Sequence, residues 1–319
     1  MTTPTDQNTP TLAEDLIQTL DELSGLHPGH RPAHAKGMFF SGTFTPSAEA
    51  ASLTRAPHIE RETTPVTVRF SNSTGIPTIP DNDPNTASPR GMAIRFHLAE
   101  HVHTDIIAHS HNGFPVRTPE EFLEFLRAVA AGKEAKSSPT PIEAFLADHP
   151  KALLFVQAPK PIPTSFAGEA YFGVNAFQFT NKDGATRFGR YRILPEHGGE
   201  YLDNETAATK TGNFLFDEIA ERVAQGPVQY QVVVQLAEEG DIVDDATAIW
   251  PEDRPQLTLG TVTVTGRLQE EDSEQRRMIF DPIPRVAGID PSDDPLLETR
   301  ADVYLLSGRR RRAAAEKPQ

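Results

Sequence analysis

Asp294-Pro-Leu-Leu-Glu-Thr-Arg300-Ala-Asp-Val-Tyr304-Leu-Leu-Ser-Gly-Arg309-Arg-Arg-Arg312 carries the most suggestive chemistry in this sequence. A helix running from Pro295 places Arg300 and Tyr304 four residues apart on one face, with Arg311 two turns further along nearly the same stripe. A guanidinium beside a phenol favours the phenolate, because an opposite charge stabilises the ionised form. A phenolate is a hard anionic ligand suited to ferric iron. R-x-x-x-Y is nevertheless a weak motif by itself, more often an arginine stacked on a half-buried tyrosine, so its meaning depends on the remaining stretches.

Composition narrows the chemistry. The chain has no cysteine, which excludes disulfides, iron–sulfur clusters, thiolate ligation and cysteine nucleophiles, so any redox chemistry must come from a bound cofactor. A net charge of −15 argues against a nucleic-acid-binding surface. The segment Met1 to Pro10 is polar, lacks the basic-then-apolar pattern of a secretory leader, and reads as disordered. No stretch is long and apolar enough for a membrane span, so a cytoplasmic protein is expected. Twenty-eight prolines and 21 glycines among 319 residues point to many turns and not to a helical bundle.

Thr11-Leu-Ala-Glu14 is a capping box, and Leu12, Leu16, Ile17, Leu20 and Leu23 continue at helical spacing to Gly25. Pro and Gly keep Gly29 to Gly37 out of helix, and a strand follows to Phe44. Thr64 to Ser71, Ser88 to His97 and Thr104 to His109 alternate as strands, with the Pro-rich Ile76 to Ser88 read as a connection. Thr118 with Pro119 opens a helix bearing Leu123, Phe125, Leu126 and Val129. Helices are also expected over 141–148 and 213–224. Strands are expected over Leu153 to Gln157, Tyr171 to Thr180, Thr186 to Leu194, Val228 to Leu236 and Leu257 to Gly266. This succession predicts an α+β chain with an antiparallel β-barrel core and flanking helices. His103, His109 and His111 lack carboxylates placed to complete a metal site.

Taken in order, Arg31-x-x-His34-Ala-Lys-Gly37, Val68-Arg69-Phe70-Ser71, Pro89-Arg90-Gly91-Met-Ala-Ile-Arg-Phe96, Asp105-Ile-Ile with Phe114, Arg117, Pro119 and Phe122, Ala248-Ile-Trp250-Pro251, Phe280-Asp281-Pro282 with Gly288-Ile-Asp-Pro291, and Arg300-x-x-x-Tyr304 resemble the haem-dependent catalase family, particularly its short catalase-related peroxidases. The resemblance implies one haem domain over 1–319: an N-terminal arm and helix to 28, the barrel over 29–266, a C-terminal segment over 267–312 and a tail. It also implies haem b, with Tyr304 as iron ligand and Arg300 lowering its pKa, His34 as distal base and Ser71 as its orienter. Arg31, Arg69 and Arg311 then pair with the propionates, and Phe114 and Phe122 line the wall. A distal histidine of near-neutral pKa would move a proton between the peroxide oxygens and lead to a ferryl state.

Three departures from the larger catalases matter. His109 stands at the usual distal asparagine, Ala33 replaces a valine before the distal histidine, and Phe114-Pro115 replaces a phenylalanine pair. A wider approach to the iron follows. The expected activity is reduction of hydrogen peroxide and organic hydroperoxides by a one-electron donor, with weak or variable catalase activity. A true catalase, a fatty-acid hydroperoxide isomerase and a non-enzymatic haem-binding protein are the alternatives. The family makes a homodimer plausible, with the N-terminal helix as a contact.

Overall fold

The computed structural model describes residues 11–133, 135–268, 273 and 277–315. The disorder expected for residues 1–10, and most of the tail beyond 313, lies outside these.

Eight strands close into an antiparallel barrel: β1 (Gly37–Pro46), β2 (Thr64–Ser71), β3 (Gly91–Ala99), β4 (Val102–His109), β6 (Tyr171–Phe172), β8 (Thr186–Pro195), β10 (Val228–Leu236) and β11 (Gln256–Arg267). Pairing of β10 with both β8 and β11, and of β11 with β1, completes the ring. The short strands β7 (Phe177–Thr180) and β12 (Ile289–Pro291) extend the sheet beyond β8, and β5 (Ile162–Pro163) pairs with β9 (Tyr201–Leu202) in a separate ribbon.

Alternation along each strand decides which side chains fill the barrel. Phe40 and Phe44, Val66, Val68 and Phe70, Met92, Ile94 and Phe96, and Ile106 and Ala108 all belong to the interior core. Their neighbours Arg69, Ser71, Gly91, Ala93, Ile107 and His109 therefore share the outer face of β2 to β4. That outer face is where the cavity described below lies.

Helices cover it. Capping boxes at Thr11 and Thr118 open α1 (Leu12–Ser24) and α2 (Pro119–Gly132) as the sequence predicts. Leu16 of α1 packs with Leu123 and Leu126 of α2 and with Val303 of the last helix, α7 (Leu296–Ala315). Ion pairs fasten α1 at both ends, Asp15 to Arg127 at 3.2 Å and Asp21 to Arg310 at 2.5 Å. Further α-helices are α3 (Pro141–Asp148), α4 (Pro150–Gln157), α5 (Asn204–Thr209) and α6 (Phe214–Gln225).

Two expectations are corrected. Leu153 to Gln157 is helical, not a strand: Pro150 occupies the first turn of α4, where its fixed φ favours helix entry, and a short apolar run carries no period of its own. The strand expected over Tyr171 to Thr180 is broken between β6 and β7, and Asn175 sits in the break. The connection after β2 is pinned inward by Asp81, which accepts hydrogen bonds from Lys36 Nζ at 2.7 Å, Asn72 Nδ2 at 2.8 Å and the Leu215 N–H at 2.9 Å.

Candidate active site

One cavity between the outer face of β2 to β4 and helices α1, α2 and α7 is lined by all ten residues singled out from the sequence: Arg31, His34, Arg69, Ser71, His109, Phe114, Phe122, Arg300, Tyr304 and Arg311. Strand register explains much of this. Gly37, Ser71, Gly91, His109 and Phe172 stand in one row across five neighbouring strands.

His34 lies just before β1 with φ of 55°, a left-handed conformation uncommon for any residue with a side chain. Its backbone is held at both ends, the N–H donating to the Ser73 carbonyl at 2.7 Å and the carbonyl accepting from Arg69 Nη2 at 2.9 Å. The ring is thereby turned so that Nδ1 meets Ser71 Oγ at 3.0 Å, which leaves Nε2 as the available nitrogen. Buried Arg90 stabilises the strand ends underneath, donating to Asn72 Oδ1 at 2.5 Å and to the carbonyls of Asp81 and Ala87.

The histidine is not near neutrality. Burial, then the charges of Arg69, Arg31 and Arg300, lower His34 to a pKa of about 3. The ring is thus a neutral acceptor throughout the physiological range. Such burial among arginines has no local sequence signature.

His109 is lowered to about 3 as well, by burial and by His34 and His111. Its Nδ1 accepts the His111 backbone N–H at 3.3 Å. In the neutral ring the proton must then sit on Nε2, which makes this nitrogen a donor.

From α7, Arg300 Nη2 donates to Tyr304 Oη at 3.3 Å, and its guanidinium lies 5.7 Å from the centre of that ring. Nη1 of the same arginine donates to Asn175 Oδ1. Asn175 Nδ2 in turn donates to Asp294 Oδ2 at 2.8 Å, while Asp294 Oδ1 accepts the Leu296 N–H and so ties the relay to the start of α7. Burial raises Asp294 above the ordinary carboxylate range, against the opposing pull of Asn175, Arg300 and Arg190. Sequence reasoning missed both Asn175 and Asp294. Asp294 immediately precedes Pro295 at a helix start and was detectable as a cap; Asn175 had no local signal.

At one end of the cavity three guanidiniums converge. Arg31 Nη2 and Arg311 Nη2 both donate to the Met278 carbonyl, at 3.0 and 2.8 Å, and Arg31 and Arg69 both lie over Phe39. Burial and the neighbouring Arg69 and Arg311 depress Arg31 well below its usual value. Arg311 Nε is buried without a partner. Three clustered cations and an orphaned donor suit a ligand with carboxylates at one edge. Phe114 and Phe122, 5.0 Å apart between ring centres, supply an apolar wall for the rest of such a ligand.

Several motif residues are anchors instead. Arg95 binds Asp105 through two nitrogens at 2.9 and 2.7 Å, and Asp105 also accepts the Asp281 N–H, which clamps the segment carrying Met278 and Phe280 over the cavity. Trp250 donates to the Ile242 carbonyl and carries Arg190 on its ring at 4.3 Å. Arg117 forms an exposed ion pair with Asp244.

The catalase family profile matches residues 2–317. The chain belongs to the catalase family. Within this haem-dependent family it is 37% identical over 297 residues to a catalase-related peroxidase of Mycolicibacterium paratuberculosis, covering 92% of this chain and 93% of that protein. A catalase-related peroxidase of Synechococcus elongatus is 31% identical, covering 92% and 87%. Catalase-2 of Bacillus subtilis is 27% identical, but the match spans only 46% of its length. Among solved structures a bacterial catalase superposes with a TM-score of 0.77 at 21% identity, over 98% of this chain and 63% of the other. Among the described residues no helix is long and apolar enough to cross a membrane.

Proposed function

We propose that this protein is a haem b peroxidase that reduces hydrogen peroxide and organic hydroperoxides with one-electron donors and disproportionates hydrogen peroxide weakly. The observation that carries the proposal is the convergence on one cavity of the Tyr304–Arg300 pair, the His34–Ser71 pair and the Arg31, Arg69 and Arg311 cluster. Tyr304 would ligate the iron, the three arginines would take the propionates, and Phe114 and Phe122 would flank the ring. When bound, the haem supplies the electrons that cleave the peroxide O–O bond.

The protein's own part is proton movement. Neutral His34 takes the proton from the inner peroxide oxygen at Nε2 and returns it to the departing oxygen, so cleavage releases water or an alcohol and not a charged fragment. Ser71 keeps the ring turned for both transfers. His109 offers its Nε2 proton to a peroxide oxygen as charge develops there. Ala33 beside His34 leaves room for a substituent on the peroxide. For an alkyl hydroperoxide the reaction is ROOH plus two donor hydrogen atoms giving ROH and water.

Absorption spectra with and without added hemin, for the natural protein and Tyr304→Phe, provide the test. A ferric high-spin Soret band altered or lost in the variant is expected, together with donor oxidation that exceeds oxygen release from hydrogen peroxide. An unchanged spectrum would remove Tyr304 as ligand, and oxygen release far faster than any donor oxidation would make the protein a true catalase.

A further inference from the structure

A peroxidase of this kind draws its electrons from a donor, and among the described residues its Trp, Met and Tyr side chains are almost all hidden. Cysteine is absent. The one tryptophan, Trp250, and the described methionines Met38, Met92 and Met278 are buried, as are Tyr171, Tyr191 and Tyr230, while Tyr304 belongs to the cavity. Among the described residues Tyr201 alone of these types presents its ring to solvent, with 48% of its surface exposed.

The surroundings of Tyr201 are built. In β9 it pairs with Pro163 of β5, and its Oη donates to Glu169 Oε1 at 2.9 Å. Glu169 is 5% exposed, and burial raises its pKa above the ordinary carboxylate range, which strengthens it as a proton acceptor. Both side chains border a polar chamber of about 40 Å³, enough for a water or so, that Ser88, Ser110, His111 and Lys160 also line.

This chamber backs directly onto the cavity. His111 borders the chamber, and its N–H donates to His109 Nδ1 in the cavity wall at 3.3 Å. On a second route Glu169 lies three residues before Phe172, which lines the cavity and pairs with His109 across β4 and β6. Both routes end at the same place.

We propose that Tyr201 is a surface oxidation site for bulky one-electron donors, phenols or aromatic amines, connected to the cavity across the end of β4; this rests on the peroxidase reading above. In each step Tyr201 loses one electron towards the cavity, where it meets the oxidising equivalent left by peroxide cleavage. The phenol O–H bond breaks along the existing hydrogen bond, and its proton passes to the Glu169 carboxylate. A phenolic donor then gives a hydrogen atom to the tyrosyl oxygen, which restores Tyr201 and leaves a phenoxyl radical. Glu169 releases its proton through the chamber to solvent, and one proton is taken up from solvent at the cavity for each electron delivered, as the peroxide oxygen becomes water. Two such steps complete the reduction of one peroxide.

The test uses hemin-loaded protein treated with peroxide and a nitroso spin trap in the absence of donor, followed by peptide mapping and by steady-state assays with a bulky phenolic dye. Expected are a trap adduct on Tyr201, its loss in Tyr201→Phe, and a fall of about tenfold or more in dye turnover in that variant and in Glu169→Gln, which keeps the shape but cannot take the proton. The peroxide-induced change of the Soret band should be equally fast in all three proteins. An intact Soret response with unchanged dye turnover and an unchanged adduct pattern in Tyr201→Phe would overturn this inference alone. Absence of a Soret band in the natural protein would overturn it together with the haem reading.

Discussion

The imidazole of His34 occupies space that a side chain on Gly91 would need: a Cβ there would lie 2.8 Å from His34 Nδ1 and 2.4 Å from Ser71 Oγ. Gly91 stands between Ser71 and His109 in the strand register, so the absence of a side chain at this point allows the histidine to lie over the sheet. Gly91→Ala should therefore displace the His34–Ser71 pair while leaving the Tyr304 and arginine walls in place. The expected outcome is a normal Soret band on hemin addition and a fall of about a hundredfold in the rate of the peroxide-induced spectral change, the scale of a lost proton-transfer group. Stopped-flow spectroscopy reads both, and an unaltered rate would show that His34 takes no proton.

His109 is a donor only because the His111 N–H occupies its Nδ1. His109→Leu removes that donor and should slow peroxide cleavage by about a hundredfold, in line with the loss of one hydrogen bond aimed at developing charge. His109→Asn restores an N–H on a shorter stem and should recover most of the rate. If both variants behave as the natural protein, the proton on Nε2 does not contribute.

What could be read in the sequence follows from where the signals are local. Period-2 alternation at Val66, Val68 and Phe70 assigns Arg69 and Ser71 to the opposite face of the same strand, and capping boxes fix the helix starts at Thr11 and Thr118. The joint order of the motif stretches then identified the family, although the work of Arg95, Asp105 and Trp250 as anchors was visible only in three dimensions. Leu153 to Gln157 failed as a strand because four apolar residues fit either period, and the deciding feature was the proline at the helix start. Asn175 escaped notice because its partner Arg300 is 125 residues away along the chain. The depressed pKa of His34 depends on arginines from separate segments, a property of the folded cavity and not of any one stretch.

Asn175 joins Arg300 to Asp294, so its removal should be felt at Tyr304 without touching the distal side. Asn175→Ala leaves Arg300 short of an acceptor and Asp294 buried short of a donor. A shifted Soret and charge-transfer spectrum is expected in the hemin-loaded variant. Loss of a buried, partly charged hydrogen bond should also lower stability by about 2 kcal/mol, measurable by urea unfolding of the protein without hemin. A normal spectrum with reduced stability would make the relay purely structural.

His58 gives the clearest prediction for acid stability, because it lies away from the cavity. Its ring is 2% exposed, packed against Phe44 and Phe96, and its Nδ1 is buried without a partner. Burial, aided by Arg61, lowers its pKa from 6.5 to about 4. The unfolded chain therefore binds a proton at this residue below pH 6.5 that the folded chain refuses until about pH 4, and stability is lost as pH falls through that window. Between pH 7 and pH 5 the loss from this one group is about 2 kcal/mol. His58→Phe removes the proton site and the unpaired nitrogen while keeping an aromatic ring among aromatic neighbours. Its urea midpoint should equal or exceed that of the natural protein at pH 7 and fall less steeply towards pH 5. An identical pH dependence in the two proteins would mean that His58 is not the group whose protonation favours the unfolded chain, and would shift that role to His34 and His109, whose pKa values are lowered further still.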